Sequence, residues 1–242
     1  LPYGACAVAD YFMRVSEDCG LIRESGDWVV QSAIEQAARW HRSGWPGVRV
    51  AVNVSSLQLL DSHFVGKVQG LLDRHELPAA CIEIELTENV LQTGSHTIDA
   101  LRQLRAIGVG FALDDFGTGY SSLVSLAQLP LSRVKLDRSL IASIDTSTRS
   151  QAIARAIIAL CQSLGLEITA EGVERREQLA WLLDHPAMYL QGYLLSRPVP
   201  GDDLLPVIAA MSGRMNSLLR PRPPAGTVQV ADELDLRRQR LR

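Results

Sequence analysis

Residues 109–122 read VGFALDDFGTGYSS and join an apolar, strand-like run to a polar turn that contains glycine. The first five residues predict a buried β-strand. Asp114 and Asp115 stand at the carboxyl end of this strand, where two adjacent carboxylates repel each other unless a cation is near. Gly117 and Gly119 give the turn the backbone freedom to fold over a bound group. The stretch predicts a site for one or two hard divalent cations, and a solvated Asp-Asp turn is the alternative at this point.

Length and composition are those of one globular domain. The chain has 242 residues, of which 47% are hydrophobic, and it is long enough for one large core. The net charge is −3 and the 24 basic residues are scattered, so the sequence shows no basic patch for a nucleic-acid polymer or an anionic membrane. A small anionic substrate held through a metal is compatible with this balance.

The cysteines and the apolar runs bear on the compartment. Cys6, Cys19, Cys81 and Cys161 show no Cys-x-x-Cys spacing, which favours reduced thiols that fill the core. No apolar run reaches the roughly 20 residues that span a bilayer, and no signal-peptide pattern begins at Leu1. We therefore expect a cytoplasmic location and no membrane contact by this segment, which is compatible with a membrane anchor elsewhere in a longer parent protein.

Six β-rich runs alternate with helical patterns along the chain. Asp27 is the predicted cap of a helix that Gly44 ends, and residues 151–164 form another helix that stops before Gly165. Such alternation predicts a parallel sheet, either doubly wound and open or closed as a (β/α) barrel. The predicted strands are residues 48–54, 81–86, 109–113, 133–136, 166–170 and 188–194.

Polar residues favour the barrel. Every predicted strand carries a charged or metal-competent side chain, most of them at the carboxyl end. A barrel rim converges such groups, whereas an open sheet concentrates them at one crevice. We therefore predict a TIM-type barrel. The residues concerned are Asn53, Glu85, Asp114, Asp115, Lys135, Glu171 and Gln191.

The second strand carries acidic residues at alternating positions. Residues 81–88 read CIEIELTE, which places Glu83, Glu85 and Thr87 on one face. Two carboxylates inside an apolar barrel are costly unless a cation or a charged partner is present. An edge strand that faces solvent is the alternative for this piece.

Six short motifs follow one another along residues 11–200. They are Val52-Asn53-Val54-Ser55, Glu85-Leu86-Thr87-Glu88, the stretch from Asp114 to Ser122, Lys135-Leu136-Asp137, Ala170-Glu171-Gly172-Val173-Glu174 and Gln191-Gly192-Tyr193. In this order they resemble the EAL family of cyclic di-GMP phosphodiesterases. The resemblance implies a modified TIM barrel with metals at the carboxyl rim, in agreement with the fold predicted from the polar residues.

The resemblance also implies an activity and a role for each side chain. The family hydrolyses one phosphodiester bond of cyclic di-GMP to give linear 5′-pGpG, with Mg²⁺ or Mn²⁺ as a pair of ions, in bacterial second-messenger signalling. The direct metal ligands would be Asn53, Glu85, Asp114 and Asp115, with Asp114 bridging the ions. Lys135 would contact the attacking water, Glu171 would be the metal-linked base, and Gln191 would hold a metal-bound water. Glu88 would steady the loop at residues 115–122, and Asp137 and Gly192 would bind substrate.

One part of the family pattern has no counterpart. The Glu-Ala-Leu signature, and the Gln-Pro-Ile-type strand that precedes it in the family, occur nowhere in the 242 residues. We therefore expect an N-terminally truncated EAL-like domain over residues 1–212, with about six of the eight strands of a barrel. A charged tail that contains proline would follow over residues 213–242. The chain is either a fragment of a longer protein or a degenerate copy.

Three functions remain open. The first is a working phosphodiesterase whose first strands lie upstream. The second is a catalytically inactive EAL module that binds cyclic di-GMP or a protein, and the third is an unrelated metal-dependent barrel enzyme. Besides cyclic di-GMP, the expected partners are a second copy of the chain, because an open barrel edge favours association, and sensory or GGDEF-type domains in a longer parent.

Overall fold

The computed structural model describes residues 22–87, 90, 94–117, 126, 129–186 and 188–219. Within these residues, a parallel sheet has the order β1-β2-β3-β4-β5-β6, as the sequence predicted. Each strand begins and ends within a few residues of its predicted bounds. The strands are β1 Val50–Asn53, β2 Ile82–Leu86, β3 Gly110–Phe116, β4 Arg133–Leu136, β5 Glu167–Ala170 and β6 Tyr189–Leu190.

The sheet is curled. Arg49, next to the start of β1, lies 3.6 Å from the carboxylate of Glu167 in β5. In a flat sheet these strands would be about 19 Å apart, because neighbouring strands are spaced by about 4.8 Å. Among the described residues β1 pairs only with β2 and β6 only with β5. The sheet is therefore an incomplete TIM-type barrel, and the predicted fold is confirmed.

The helices cover the outer face of the sheet. In the described part of the chain they are α1 Ile22–Arg42, α2 Ser56–Leu59, α3 Phe64–Arg74, α4 Ser95–Ala106, α5 Arg138–Ile141, α6 Thr148–Ser163, α7 Arg176–Leu183 and α8 Leu204–Leu219, with single 3₁₀ turns at Ala79–Cys81 and Gly201–Asp203. Helix α8 extends past the boundary predicted at residue 212, and residues 220–242 lie outside the described residues. The domain boundary and the tail therefore stay predictions.

One predicted helix start is wrong. Asp27 does not cap helix α1, because the helix already includes Ile22. The carboxylate of Asp27 instead lies 2.6 Å from the ammonium of Lys67 in α3, so it links two helices. The helix predicted at 151–164 is confirmed as α6, and the hydroxyl of Ser147 caps it by accepting a hydrogen bond from the amide of Ser150.

The core lies between the convex face of the sheet and the helices. Strands β2, β3 and β4 contribute Ile84, Phe111 and Val134, and helices α1 and α4 contribute Ile34 and Leu104, all buried. Each such side chain contributes about 1.5–3 kcal/mol of hydrophobic free energy. The concave face carries the polar residues of the strands, so the curl closes the sheet around ionisable groups rather than around an apolar centre.

Burial settles two further expectations. Strand β2 lies between β1 and β3 and all its residues are buried, so the solvent-facing edge strand is excluded. Cys81 and Cys161 are buried free thiols, as predicted, and burial raises the pKa of Cys161 to about 11. Cys6 and Cys19 lie outside the described residues.

No helix among the described residues combines the length and the apolar composition that crossing a membrane requires.

Candidate functional site

A β-bulge places the paired aspartates. Leu113 pairs with Val134 and Phe116 pairs with Leu136, so β3 has one residue more than β4 over this interval. Asp115 adopts a left-handed backbone with φ of +53°, and its amide donates a hydrogen bond to the Asp114 carboxylate at 3.1 Å. A bulge lets consecutive side chains leave the strict alternation of a strand. Both carboxylates can therefore serve one site at the end of β3.

Three carboxylates converge at this rim. Ligand oxygens of Asp114, Asp115 and Glu171 all lie within 4.8 Å of one another. Glu171 directly follows β5, and its amide donates a hydrogen bond to the carbonyl of Leu136 at the end of β4. Hard divalent cations prefer oxygen ligands of this kind. The donor set therefore fits Mg²⁺ or Mn²⁺, and the assignment of Asp114 and Asp115 as ligands stays a prediction.

Lys135 is the centre of the site. Its ammonium lies 2.9 Å from a carboxylate oxygen of Glu85, 2.8 Å from one of Asp114 and 2.8 Å from one of Glu171, while its side chain is only 7% exposed. Burial acts to lower the pKa of Lys135, but the three carboxylates outweigh burial and raise the pKa above its usual value. Lys135 is therefore a fixed positive charge at the point where β2, β3 and β5 meet.

The acidic residues outnumber this lysine. Burial raises the pKa of Glu85 and of Glu171, although the nearby ammonium of Lys135 opposes the shift. Asp115 lies within 4.8 Å of Asp114 and Glu171, so among the described residues of this site the carboxylates outnumber the ammonium bound to them. Such an excess is characteristic of a cation site.

Two other predicted ligands lie at the same rim. Asn53 ends β1 and pairs in register with Glu85. Gln191 follows β6, and its backbone amide donates a hydrogen bond to the carbonyl of Ala170 at 2.9 Å. Both side chains are exposed. Glu88 and residues 118–122 of the loop it would steady lie outside the described residues. The individual roles of all these residues remain predictions.

The two predicted substrate residues have evident structural tasks. The carboxylate of Asp137 accepts a hydrogen bond from the amide of Ser139 at 2.9 Å and caps α5. A β-carbon on Gly192 would lie 2.2 Å from the carbonyl oxygen of Val173, so only glycine fits there. Their predicted contact with substrate stays a prediction.

A cleft of about 540 Å³ adjoins Glu171 and Gln191. Its volume is within the range of small-molecule sites, which hold about 300–1,000 Å³. Two arginines, Arg138 and Arg197, line it together with Tyr193 and the apolar face of α8. The cleft therefore combines two guanidinium groups with the carboxylates of Glu171 and Glu174.

A second charged cluster lies at the amino ends of the strands, and sequence reasoning missed it. Glu83 binds Arg49 at 3.1 Å and Arg133 at 3.0 Å, and Glu167 binds Arg133 at 2.6 Å. The guanidinium of Arg133 lies 4.0 Å from the ring centre of Tyr189. We call these five residues the amino-end network. The alternation of Glu83 and Glu85 signalled buried charge, but it did not identify the arginines.

The comparisons with known proteins identify the family. The model of the EAL domain matches residues 2–198. The chain belongs to the EAL family. The resemblance inferred from the motifs is thereby confirmed, and solved EAL structures share the fold.

Two EAL relatives with names that record an activity come from Pseudomonas aeruginosa. Cyclic di-GMP phosphodiesterase NbdA is 43% identical over 192 residues, which are 79% of this chain and 24% of NbdA. The bifunctional diguanylate cyclase/cyclic di-GMP phosphodiesterase MucR is 40% identical over 199 residues, 82% of this chain and 29% of MucR. The chain thus spans less than a third of the length of either relative.

Solved EAL structures match over most of the domain. The MucR phosphodiesterase in complex with c-di-GMP has a TM-score of 0.76 and 39% identity, covering 81% of this chain and 79% of that one. The EAL enzyme Bd1971 with cAMP and cyclic di-GMP bound has a TM-score of 0.77 and 32% identity, covering 82% of this chain and 55% of that one.

Proposed function

We propose that this EAL domain hydrolyses cyclic di-GMP to linear 5′-pGpG with Mg²⁺ or Mn²⁺, and that it serves bacterial second-messenger signalling. The observation that carries the proposal is the convergence of Asp114, Asp115 and Glu171 within 4.8 Å, around an ammonium that also binds Glu85. The similarity to NbdA and MucR supports the choice of substrate.

Oxygen donors of this chain would hold a pair of cations. Asn53, Glu85, Asp114, Asp115 and Glu171 are the proposed direct ligands, and Gln191 would act through a water. When bound, such ions stabilise the charge that develops on the phosphate oxygens and lower the pKa of a water molecule.

The protein's own residues supply a base and a cation. The Glu171 carboxylate would accept a proton from the attacking water. The Lys135 ammonium would contact that water by exchanging its hydrogen bond to one of the three carboxylates, and it would stay protonated. The water oxygen bonds to phosphorus, the bond from phosphorus to the 3′ oxygen breaks, and this oxygen takes up a proton.

A binding module without turnover is the second candidate. The observation in its favour is that none of the 242 residues form the Glu-Ala-Leu sequence that supplies one carboxylate in the family. Losing one carboxylate from a shared cation site weakens cation binding and stabilisation of the transition state. Cyclic di-GMP would then bind without being cleaved.

One experiment separates the two candidates. Cyclic di-GMP is incubated with Mg²⁺ or Mn²⁺ and either the 242-residue chain or a protein extended upstream to include a native Glu-Ala-Leu strand, and pGpG is quantified by chromatography. We expect little or no pGpG from the shorter chain and rapid hydrolysis by the extended protein. Full activity of the shorter chain would show that the signature glutamate is dispensable. Nucleotide binding without hydrolysis in the extended protein would favour the binding module.

The assembly and location of the protein are proposals of the same kind. We expect a homodimer in the cytoplasm, joined in a longer parent to sensory or GGDEF-type domains. The name of MucR combines a diguanylate cyclase with a cyclic di-GMP phosphodiesterase. Light scattering tests the dimer. A stable monomer at high micromolar concentration would contradict it.

A further inference from the structure

The backbone segment that carries Glu171 is irregular and is held by a buried amide. Residues 171–175 connect β5 to α7 without regular structure. Gln178, in the first turn of α7, is 1% exposed. Its side-chain oxygen accepts hydrogen bonds from the amides of Glu174 and Arg175, both at 2.8 Å. This half of the side chain fixes the segment that follows Glu171.

The other half of Gln178 reaches a different segment. Its side-chain nitrogen donates a hydrogen bond to the carbonyl of Ile141 at 3.1 Å. Ile141 is the last residue of α5, and α5 begins directly after Lys135-Leu136-Asp137. One buried side chain therefore ties the segment that follows Lys135 to the segment that follows Glu171.

A second link runs parallel to this one at the surface. The guanidinium of Arg175 binds the carboxylate of Asp145 at 2.7 Å and 3.2 Å, and also the carbonyl of Ala142 at 2.7 Å. Arg175 is 45% exposed, so solvent screens this ion pair. The buried amide of Gln178 has no solvent to replace its partners and is the stiffer of the two links.

Glycine packing leaves the segment little room to adjust. Gly172 has φ of +68°, and a β-carbon there would lie 2.7 Å from the β-carbon of Arg138 in α5. On its other side the carbonyl of Val173 accepts a hydrogen bond from the amide of Leu194. The segment is thus confined between α5 and the chain after β6.

We infer that Gln178 is a positioning residue that sets the placement of Glu171 relative to Lys135, acting through the backbone of the two segments. Its catalytic meaning rests on the proposed function. A displacement of about 1 Å at reacting groups can reduce a rate by about 10²-fold. Loss of the Gln178 link should therefore lower kcat and leave KM nearly unchanged.

Two substitutions separate the halves of this side chain. Gln178→Met removes all three hydrogen bonds. Gln178→Glu, at about pH 8 and so above the usual pKa of a glutamate, keeps an acceptor for the amides of Glu174 and Arg175 but removes the donor to Ile141. Leu104→Ala opens a cavity where α4 packs on the sheet. It is the control for a general loss of stability.

The measurements are hydrogen exchange on the 242-residue chain and kinetics on the extended protein. We expect both Gln178 variants to accelerate amide exchange at residues 138–145 and 171–175, and to lower kcat about tenfold with KM changed less than twofold. Leu104→Ala should change neither. Unchanged exchange in these two segments, or a kcat that falls no more than in Leu104→Ala, would overturn the inference.

The two proposals fail in different ways. An inactive extended protein counts against the phosphodiesterase, whereas the exchange of residues 138–145 and 171–175 depends on the link alone and decides whether Gln178 holds the two segments.

Discussion

The two ends of the curled sheet carry similar groups with different balances of charge. At the amino end, Arg49 and Arg133 face Glu83 and Glu167, and the charges cancel. At the carboxyl end, the ammonium of Lys135 binds three carboxylates, those of Glu85, Asp114 and Glu171. Each cluster has a buried centre, Glu83 at the amino end and Lys135 at the carboxyl end. Of the two clusters, only the one at the carboxyl end has more carboxylates than bound cationic groups among the described residues, which suits a site for a cation.

This difference separates a structural cluster from a functional one. A balanced, hydrogen-bonded ion network recovers much of the free energy lost on desolvation, and its removal is felt as lost stability. An unbalanced one lowers the stability of the cation-free protein, because like charges repel at short range. Substitutions at the two ends should therefore affect different measured quantities.

Asp114→Asn should give the largest effect. The substitution nearly preserves shape and removes one negative charge, so we expect hydrolysis of cyclic di-GMP by the extended protein to fall by about 10²-fold or more. The free energy of unfolding without cations should change by less than about 1 kcal/mol, because relief of repulsion from Glu85 and Glu171 offsets the lost ion pair with Lys135. Release of pGpG and urea unfolding measure the two quantities. A variant that keeps full activity would show that Asp114 is not a shared ligand.

Divalent cations should stabilise the folded protein through the carboxyl end. At a concentration about 100-fold above Kd, binding to the folded state alone contributes about 2.7 kcal/mol. Thermal unfolding with MgCl₂ or MnCl₂, against NaCl at equal ionic strength, measures this. The shift should be lost in Asp114→Asn and kept in Glu83→Gln. An equal shift in both variants would place the cation elsewhere.

Glu83→Gln tests the amino-end network. Glu83 is 2% exposed and binds both arginines, so its neutralisation should lower the free energy of unfolding by about 2 kcal/mol, with Glu167 remaining as a partner. The activity of the extended protein should stay within about twofold, since Glu83 lies away from the rim. Urea unfolding and the pGpG assay check both statements. A large loss of activity at unchanged stability would refute the assignment of this cluster to stability.

The smallest expected effect is that the free energy of unfolding depends on pH in opposite directions at the two ends of the sheet. Burial acts to raise the pKa of Glu167, but the bound Arg133 outweighs it and lowers the pKa. Its stabilising effect is therefore present above the unfolded-state pKa and is lost as pH falls through the folded-state pKa. Burial raises the pKa of Glu85, so its destabilising effect appears as pH rises through the unfolded-state value toward the folded-state value.

Paired variants make this sign measurable in the cation-free protein. Relative to the unsubstituted chain, Glu167→Gln should lose more stability at about pH 7 than at about pH 4, and Glu85→Gln should gain more at about pH 7. For Glu167→Gln, the difference in free energy of unfolding between the two pH values should be below about 1 kcal/mol, because Glu167 is exposed. The same sign for both variants in urea unfolding would remove the contrast between the two ends.

The sequence predicted what local patterns can encode. The alternation of apolar residues predicted the strands, and the polar residues at their ends predicted the rim. Asp27 was misassigned as a cap because its actual partner, Lys67, is 40 residues away in another helix. Sequence patterns did not identify the arginines of the amino-end network for the same reason, since Arg49 and Glu83 meet only after the sheet has formed.

Within the site, the identities of the residues were easier to predict from the sequence than the contacts between them. The motifs pointed to Asp114, Glu171 and Lys135 individually. The contact of Lys135 with three carboxylates depends on the curl of the sheet, which no local pattern contains. Gln178 carried no such signal, because a capping box needs Ser or Thr three residues before the Gln, and Arg175 stands there.

The extra residue in β3 makes this part of the chain intolerant of changes in length. Leu113 and Phe116 are both buried while the residues between them reach the rim. Deleting one residue from this interval would restore regular pairing with β4 and turn the remaining carboxylate toward one face only. Adding one would shift Phe116 out of the apolar layer. Alignments of related chains should therefore show substitutions in this interval but no gaps.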